Sequence, residues 1–137
     1  MYKKIIVPVD LEHPKTLSKS LEIASDLSKY YQADIVYVGI TTEAASPIAH
    51  TPAEFAAKLE AFAKERGAAG GHPATSKAYA SHDPARDLTE TLLKAVQESG
   101  ADLVVMASHV PTFADHLFAS HGGGLASRAD VSVFVVR

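Results

Sequence analysis

The 137-residue sequence contains no cysteine and no tryptophan, and it has no excess of positive charge, with 13 Lys and Arg against 16 Asp and Glu. The lack of cysteine excludes disulfides, thiolate zinc sites, iron–sulfur clusters and cysteine nucleophiles. Without a basic patch or an aromatic platform, nucleic acid is not expected as a partner. No apolar run approaches the roughly 20 residues of a membrane span, and the amino terminus does not resemble a signal peptide. We therefore expect a cytoplasmic protein with no membrane partner.

The overall composition is typical of an ordinary folded domain, with 47% hydrophobic and 21% charged residues. A single core usually serves about 100–200 residues, so this length suits one domain. The sequence shows no internal repeat and no composition shift that would mark a boundary. Residues 1–137 are therefore predicted to form one domain.

Short apolar runs typical of buried strands alternate with apolar stripes of helical spacing along the whole chain. The predicted strands are residues 5–9, 35–40, 75–80, 103–107 and 131–136. The helices between them are predicted to start or stop at Pro14, Gly67, Pro84 and Gly100. We interpret residues 41–51 as a surface loop and residues 68–73 as a connector. A last helix around residues 120–128 is weakened by Gly122, Gly123 and Gly124, each costing about 1 kcal/mol relative to alanine.

This alternation favours a mostly parallel sheet with helices on both faces, joined by right-handed crossovers. Ligands bind such sheets beyond the carboxyl ends of the strands, where the strand order reverses. The first and fourth strands are the expected neighbours at that point, and they lead to Asp10 and His109. Asp10 could accept a base or ribose donor, and His109 could donate to a phosphate. The alternative is that Asp10 caps a helix and His109 is a surface histidine.

Several stretches of the chain, taken together and in order, resemble the universal stress protein family. They are residues 8–10, 83–85, 99–102, 104–109 and 130–137. The resemblance implies an α/β fold, a single-domain, doubly wound, parallel five-stranded sheet in the order 3-2-1-4-5. It also implies a homodimer through the last strand, which would involve Val131, Val133 and Val135. Such pairing would cover an apolar edge strand that is otherwise prone to aggregate. The alternative is that the last strand is short and internal.

Many members of this family bind ATP with a glycine-rich signature after the fourth strand, where glycines let backbone amides approach phosphates. This sequence departs from the signature at each glycine: Ala107 and Val110 replace the first two, and Ala119 precedes Ser120 with a spacer one residue shorter. Small bacterial members with an Ala-Ser-His-x-Pro turn, as at residues 107–111, also include ATP-binding proteins. The nucleotide contacts carried over by position are Pro8, Asp10, Ile40, Met106, Ala107, His109, Ser120 and His121.

The leading hypothesis is a regulatory homodimer, not an enzyme, that binds ATP or a related adenine nucleotide with slow or no hydrolysis, with Mg²⁺ as a candidate accompanying ion. The alternative is a nucleotide-free dimer or protein-interaction module with a closed cleft. Val110 favours the alternative because its side chain would stand where the backbone should approach phosphate. No Lys or Arg lies between Ala101 and Ser127 to neutralise phosphate charge.

Two other chemistries are not supported by the residue spacing. His121 and the three glycines after it resemble an esterase oxyanion-hole motif, but the sequence lacks the Gly-x-Ser-x-Gly that such enzymes require. His109, His116 and His121, with Asp115, are close in sequence, but no pair of histidines has helical i, i+4 spacing. We therefore predict no metal site there and no hydrolase.

Overall fold

The computed structural model describes residues 1–108 and 123–137 and shows a five-stranded parallel sheet with the order β3-β2-β1-β4-β5. The strands are β1 (Lys4–Pro8), β2 (Asp34–Thr42), β3 (Ala74–Ser81), β4 (Leu103–Ala107) and β5 (Ser132–Val136). The helices are α1 (Ser18–Tyr31), α2 (Pro52–Gly70), α3 (Pro84–Ser99) and α4 (Gly123–Arg128). The fold class and strand order predicted from the sequence are confirmed.

The connections explain why both faces of the sheet are covered. The chain steps from β1 to β2 and then β3 in one direction, and from β3 to β4 and then β5 in the other. Because such crossovers are right-handed, α1 and α2 cover one face, and α3 and α4 cover the opposite face. Strand β1 lies in the middle, and its Ile5, Ile6 and Val7 side chains are completely buried. A strand enclosed on both sides is apolar throughout, as its sequence indicated.

The predicted ends of α3 at Pro84 and Gly100 are confirmed, and capping interactions explain where α2 and α3 begin. The Thr51 hydroxyl accepts a hydrogen bond from the Glu54 N–H at the start of α2, and the Asp83 carboxylate accepts one from Arg86 N–H at the start of α3. Gly100 ends α3 in a left-handed conformation with φ of 70°. Such caps satisfy the backbone groups that a helix end leaves without a partner.

Two predicted boundaries are wrong in detail. Helix α2 does not end at Gly67 but continues to Gly70, and Gly71 provides the left-handed cap with φ of 67°. Gly67 instead allows the chain to pack closely, since a Cβ there would lie 2.9 Å from the His72 carbonyl oxygen. At the other end of the fold, Pro14 opens a short 3₁₀ turn, Pro14–Leu17, rather than α1 itself.

No helix in residues 1–108 or 123–137 combines the length and apolar character needed to cross a membrane.

The packing of α2 on β2 depends on a glycine. A Cβ at Gly39 would lie 2.8 Å from Phe55 Cζ and 3.0 Å from Leu59 Cδ2. Phe55 and Leu59 are both buried, so neither has room to move. We expect Gly39→Ala to lower the free energy of unfolding by about 1–3 kcal/mol, the usual cost of overpacking. Urea unfolding followed by circular dichroism measures this change.

Gly124→Ala is the matched control. Within residues 1–108 and 123–137, a Cβ at Gly124 would meet only the Thr89 side chain, at ordinary van der Waals distances of 3.6 and 3.8 Å. Because alanine also favours helix, this substitution should be neutral or stabilising by up to about 1 kcal/mol. Equal effects of the two substitutions would contradict the close-packing explanation for Gly39.

Candidate functional site

The strand order places the carboxyl ends of β1 and β4 side by side. These strands pair at Ile5 with Leu103 and at Ile6 with Val104. Both strands continue beyond this pairing, β1 to Pro8 and β4 to Ala107. The connections from β1 to β2 and from β4 to β5 run in opposite directions across the sheet, and ligands bind parallel sheets at such a point. The juxtaposition of the first and fourth strands that the sequence predicted is therefore confirmed.

Asp10 lies just beyond β1 and is only 6% exposed. Its Oδ1 accepts a hydrogen bond from the Glu12 N–H at 3.0 Å, and its Oδ2 lies 3.2 Å from His13 Nδ1. The Asp10 carbonyl oxygen also accepts the His13 N–H. These bonds form a tight turn of the kind that short polar side chains favour. The helix-capping alternative for Asp10 is wrong, because the residue that precedes the 3₁₀ turn is His13.

A small cavity of about 60 Å³ opens beside Asp10, at the carboxyl ends of β1 and β2. Ile40, another predicted site residue, also lines it. Further lining residues that the sequence reasoning missed are Thr41, Thr42, Ser46, Ile48, Phe55 and Pro84. Thr41 and Thr42 could have been found, since they end the second strand and therefore lie at the same edge as Asp10.

The other predicted nucleotide contacts fall into two groups. Pro8 and Ala107 end their strands and are half-buried, while Met106 is buried in the core at 2% exposure. None of these three lines the cavity beside Asp10. His109, Ser120 and His121, together with Val110, lie outside the described residues. The structure thus brings Asp10 and Ile40 to one cavity and places the ends of β1 and β4 side by side.

Three side chains in the segment that follows β1 could hold a cation. Asp10, Glu12 and His13 each offer a ligand atom, and these atoms all lie within 4.8 Å of one another. Carboxylate oxygens suit Mg²⁺, and an imidazole also suits transition metals. The sequence reasoning looked for metal ligands only around residues 109–121 and did not consider this trio.

Polar side chains at the end of β3 and the start of α3 lie at the same carboxyl edge of the sheet as Asp10. The Ser81 hydroxyl donates to Asp87 Oδ2 at 2.7 Å, and Arg86 Nε lies 3.3 Å from Asp87 Oδ1. The hydrogen bond from Ser81, followed by the smaller effect of the one from Arg86, holds the pKa of the Asp87 carboxyl below its usual value. The start of α3, which contributes Pro84 to the cavity, is thus fixed to the end of β3.

Strand β5 forms one edge of the sheet, and among the strands that the structure describes it pairs only with β4. Val131, Val133 and Val135, the predicted dimer residues, are half-buried and pack against the core of their own chain. Phe134 is 43% exposed and shares a face with its register partner Val105. The outward apolar side chain of β5 is therefore Phe134, which the sequence reasoning did not single out.

Comparison with solved structures finds the same fold in universal stress proteins. A member of that family from Burkholderia pseudomallei is 23% identical, with a TM-score of 0.69 over 98% of this chain and 96% of that one. A universal stress protein from Archaeoglobus fulgidus in complex with dAMP is 14% identical, with a TM-score of 0.64 over 99% of this chain and 98% of the other. A family protein from Arabidopsis thaliana with AMP bound is 12% identical, with a TM-score of 0.67, covering 98% and 90% of the two chains.

Curated protein sequences provide no match. The sequence model of the universal stress protein family, in contrast, matches residues 1–137. This match spans the whole chain, and the strand order observed is the one that the resemblance implied. The chain belongs to the universal stress protein family.

Proposed function

We propose that this protein binds ATP or a related adenine nucleotide in the crevice between β1 and β4, and that it acts as a cytoplasmic regulatory protein rather than as an enzyme. The observation that carries the proposal is the nearly buried Asp10 carboxylate, which lines a cavity together with Ile40 at the carboxyl ends of β1 and β2, beside the strand at which the order reverses. Structurally similar family proteins have been solved with AMP and dAMP. Adenine nucleotides are therefore the first class of ligand to test.

Asp10 and Ile40 are suited to the nucleoside end of the ligand. A carboxylate has about four acceptor positions, so Asp10 can hold the turn to Glu12 and also accept from an amine or a ribose hydroxyl. Ile40 lies near the carboxyl end of β2, so its backbone groups lie at the same edge of the sheet as Asp10. The aliphatic and aromatic walls of Val9, Ile48 and Phe55 supply an apolar surface for a flat base.

The phosphate end of the ligand is assigned to the chain that follows β4. By position in the family, Met106 and Ala107 would adjoin the nucleotide, and His109, Ser120 and His121 would face the phosphates. Mg²⁺ bound to the nucleotide would reduce the phosphate charge, which no Lys or Arg between Ala101 and Ser127 is present to neutralise. Asp10 and Glu12 are the carboxylates that would hold such an ion.

Slow or absent hydrolysis is part of the proposal. The sequence has no Gly-x₄-Gly-Lys-[Ser/Thr] phosphate loop, whose lysine reaches the β- and γ-phosphates in many nucleotide hydrolases. Nucleotide binding would then act by stabilising one conformation of the protein.

The small volume of the cavity favours a second candidate function. About 60 Å³ beside Asp10 does not hold an adenine nucleotide without movement of the surrounding loops. A nucleotide-free interaction module, which works through its dimer surface and residues 41–51, would keep such a cavity closed. The two functions differ in their response to added nucleotide.

Added nucleotide should raise the melting temperature. A ligand at 100 times its dissociation constant adds about 2.7 kcal/mol to stability, and ATP with Mg²⁺ at millimolar concentration should therefore shift the Tm by several degrees. Asp10→Ala should abolish the shift because it removes the acceptor at the mouth of the crevice. Differential scanning calorimetry with and without nucleotide measures both effects.

Asp26→Ala is the control, since Asp26 is an exposed acid on α1 whose ion pair in the described part of the chain is a surface contact with Lys29. This variant should respond to ATP as the unaltered protein does. The Tm of each variant without nucleotide separates lost binding from lost stability. A protein whose Tm is the same with and without ATP, ADP and AMP would support the interaction module instead.

We also propose that two copies pair through β5. This strand leaves one row of backbone donors and acceptors unpaired by its own sheet, and it presents the exposed Phe134 beside that row. Antiparallel pairing with the same strand of a second copy would satisfy the backbone groups and cover Phe134. Val131, Val133 and Val135 would then lie at the interface while still packing on their own core.

Phe134→Glu should convert this dimer to a monomer, because the charge would be buried without a partner at the two-fold axis. Light scattering coupled to size-exclusion chromatography gives the mass directly. Tyr30→Glu is the control, since Tyr30 is 80% exposed on α1 and should leave the mass unchanged. A Phe134→Glu variant with the mass of the unaltered dimer would refute pairing through β5.

A further inference from the structure

A groove between α1 and α2 lies away from the nucleotide crevice. It has a volume of about 340 Å³, and its lining residues are Glu22, Ser25, Asp26 and Lys29 of α1 with Arg66, Ala69 and Gly70 of α2. We call it the α1/α2 groove. It shares no lining residue with the cavity beside Asp10. The end of α1 is bonded to the start of β2 through Ser28 and Ala33, so the groove lies toward the amino-terminal edge of the sheet.

Two buried polar atoms beside this groove have no hydrogen-bond partner among the described residues. They are the hydroxyl of Tyr37 and Nε of Arg66. Tyr37 is completely buried on β2, where its ring packs edge-on against Phe62. Such groups are rare in native proteins and usually mark the place of a water, an ion or a ligand.

The two atoms belong to one local environment. Burial raises the pKa of Tyr37, and the neighbouring Arg66 and Ser25 side chains oppose that rise. Arg66 and Ser25 are both lining residues of the α1/α2 groove. The Tyr37 hydroxyl therefore neighbours two residues that line the groove, Arg66 and Ser25, while Tyr37 itself is not a lining residue. Among the described residues, Arg66 forms no ion pair within 4.0 Å that would neutralise its charge.

The hydrogen bonds of Ser25 determine which polar groups near the groove remain available to donate to a ligand. Ser25 Oγ lies 3.0 Å from His72 Nε2, and His72 Nδ1 lies 3.2 Å from the Pro73 carbonyl oxygen. A carbonyl can only accept, so Nδ1 carries the hydrogen and Nε2 accepts from the Ser25 hydroxyl. The Ser25 hydroxyl therefore donates its hydrogen to His72 and cannot donate it to a ligand. The donors beside the groove that remain available to a ligand are the Tyr37 hydroxyl and Arg66 Nε.

We propose that the α1/α2 groove binds a small carboxylate, with Arg66 Nε and the Tyr37 hydroxyl donating hydrogen bonds to its oxygens. Both protein groups are donors, and a ligand that only accepts satisfies both at once. A guanidinium matches a carboxylate in charge and in geometry. Lys29 adds a second positive charge, but it is paired with Asp26 at 3.6 Å on the exposed rim.

The acidic residues of the groove restrict the ligand further. Glu22 and Asp26 both face the groove and would repel an anion with two charges more than one with a single charge. A monocarboxylate therefore fits better than sulfate or the phosphate dianion. The competing occupant is Glu22 itself, whose carboxylate would neutralise Arg66 by turning inward.

Sodium acetate is the probe for this site, compared with sodium chloride and sodium sulfate at equal ionic strength. Because sulfate and acetate also stabilise folded proteins in general by exclusion from their surface, the site-specific effect is the Tm rise that Arg66→Gln removes. This Arg66-dependent rise should be at least about 2 °C larger in acetate than in chloride, and it should be smaller in sulfate than in acetate. Arg66→Gln should abolish the acetate-specific rise, and Tyr37→Phe should reduce it. Lys64→Gln, which removes an exposed cation of α2 outside the groove, should retain it.

A second measurement does not depend on stability. Acetate titration followed by ¹⁵N NMR should shift the Arg66 Nε–H resonance in the unaltered protein and in Lys64→Gln. The proposal is overturned by an unmoved resonance, by an acetate rise that is as large in Arg66→Gln as in the unaltered protein, or by an Arg66-dependent rise that is larger with sulfate. It is also overturned if acetate raises the Tm only in the Glu22→Gln variant, since Glu22 would then be the native partner of Arg66.

The test is independent of the nucleotide proposal. Arg66→Gln should leave the response to ATP unchanged, because Arg66 is not part of the crevice beside Asp10. Asp10→Ala should leave the response to acetate unchanged for the same reason. A variant that lost both responses would indicate a general change in the fold, which the Tm without ligands reports.

Discussion

The parallel pairing of β1 with β4 is the constraint on which the rest of the molecule depends. Through Ile5 and Ile6 it joins two parts of the chain that are almost a hundred residues apart, and it buries both side chains completely. The backbone of Asp102 donates to the Lys4 carbonyl, and its carboxylate accepts from the N–H groups of Lys3 and Lys4. The amino-terminal ends of the two strands are thereby held together. At the opposite edge the same pairing brings the end of β1, which leads to Asp10, beside the end of β4.

Close contacts between backbone and side chains hold the helices at their distances from the sheet. Gly39 lets α2 approach β2, and Gly67 lets the chain after α2 turn back against it. A third contact of this kind occurs at Gly70, where a Cβ would lie 2.7 Å from the His72 ring. That ring is buried and bonded to Ser25 of α1, so a single histidine ties the two helices of one face together. The α1/α2 groove borders this tie.

Polar groups are distributed differently at the two edges of the sheet. At the carboxyl edge, the Asp10 carboxylate is bonded within its own turn and also lines a cavity. On the α1/α2 face, Tyr37 and Arg66 keep buried donor atoms without partners in the described part of the chain. Burying an unsatisfied polar atom costs roughly 1–3 kcal/mol, a large share of the net stability of a small domain. A fold that retains two such atoms beside one groove gains stability from any ligand that satisfies them.

The sequence by itself determined the alternation of strands and helices, the parallel sheet and the edge at which Asp10 lies, because apolar spacing and helix-end residues act over a few positions of the chain. It also placed Gly100 correctly, since a left-handed cap after a helical stripe is a local feature. Only the tertiary structure decided that α2 continues past Gly67, that Thr41 and Thr42 line the cavity with Asp10, and that Phe134 rather than Val133 faces outward on β5. Each of these depends on which distant segment lies opposite the residue. The pairing of Ser25 with His72, and the position of Tyr37 beside Arg66, depend on long-range packing in the same way and leave no short-range pattern in the sequence.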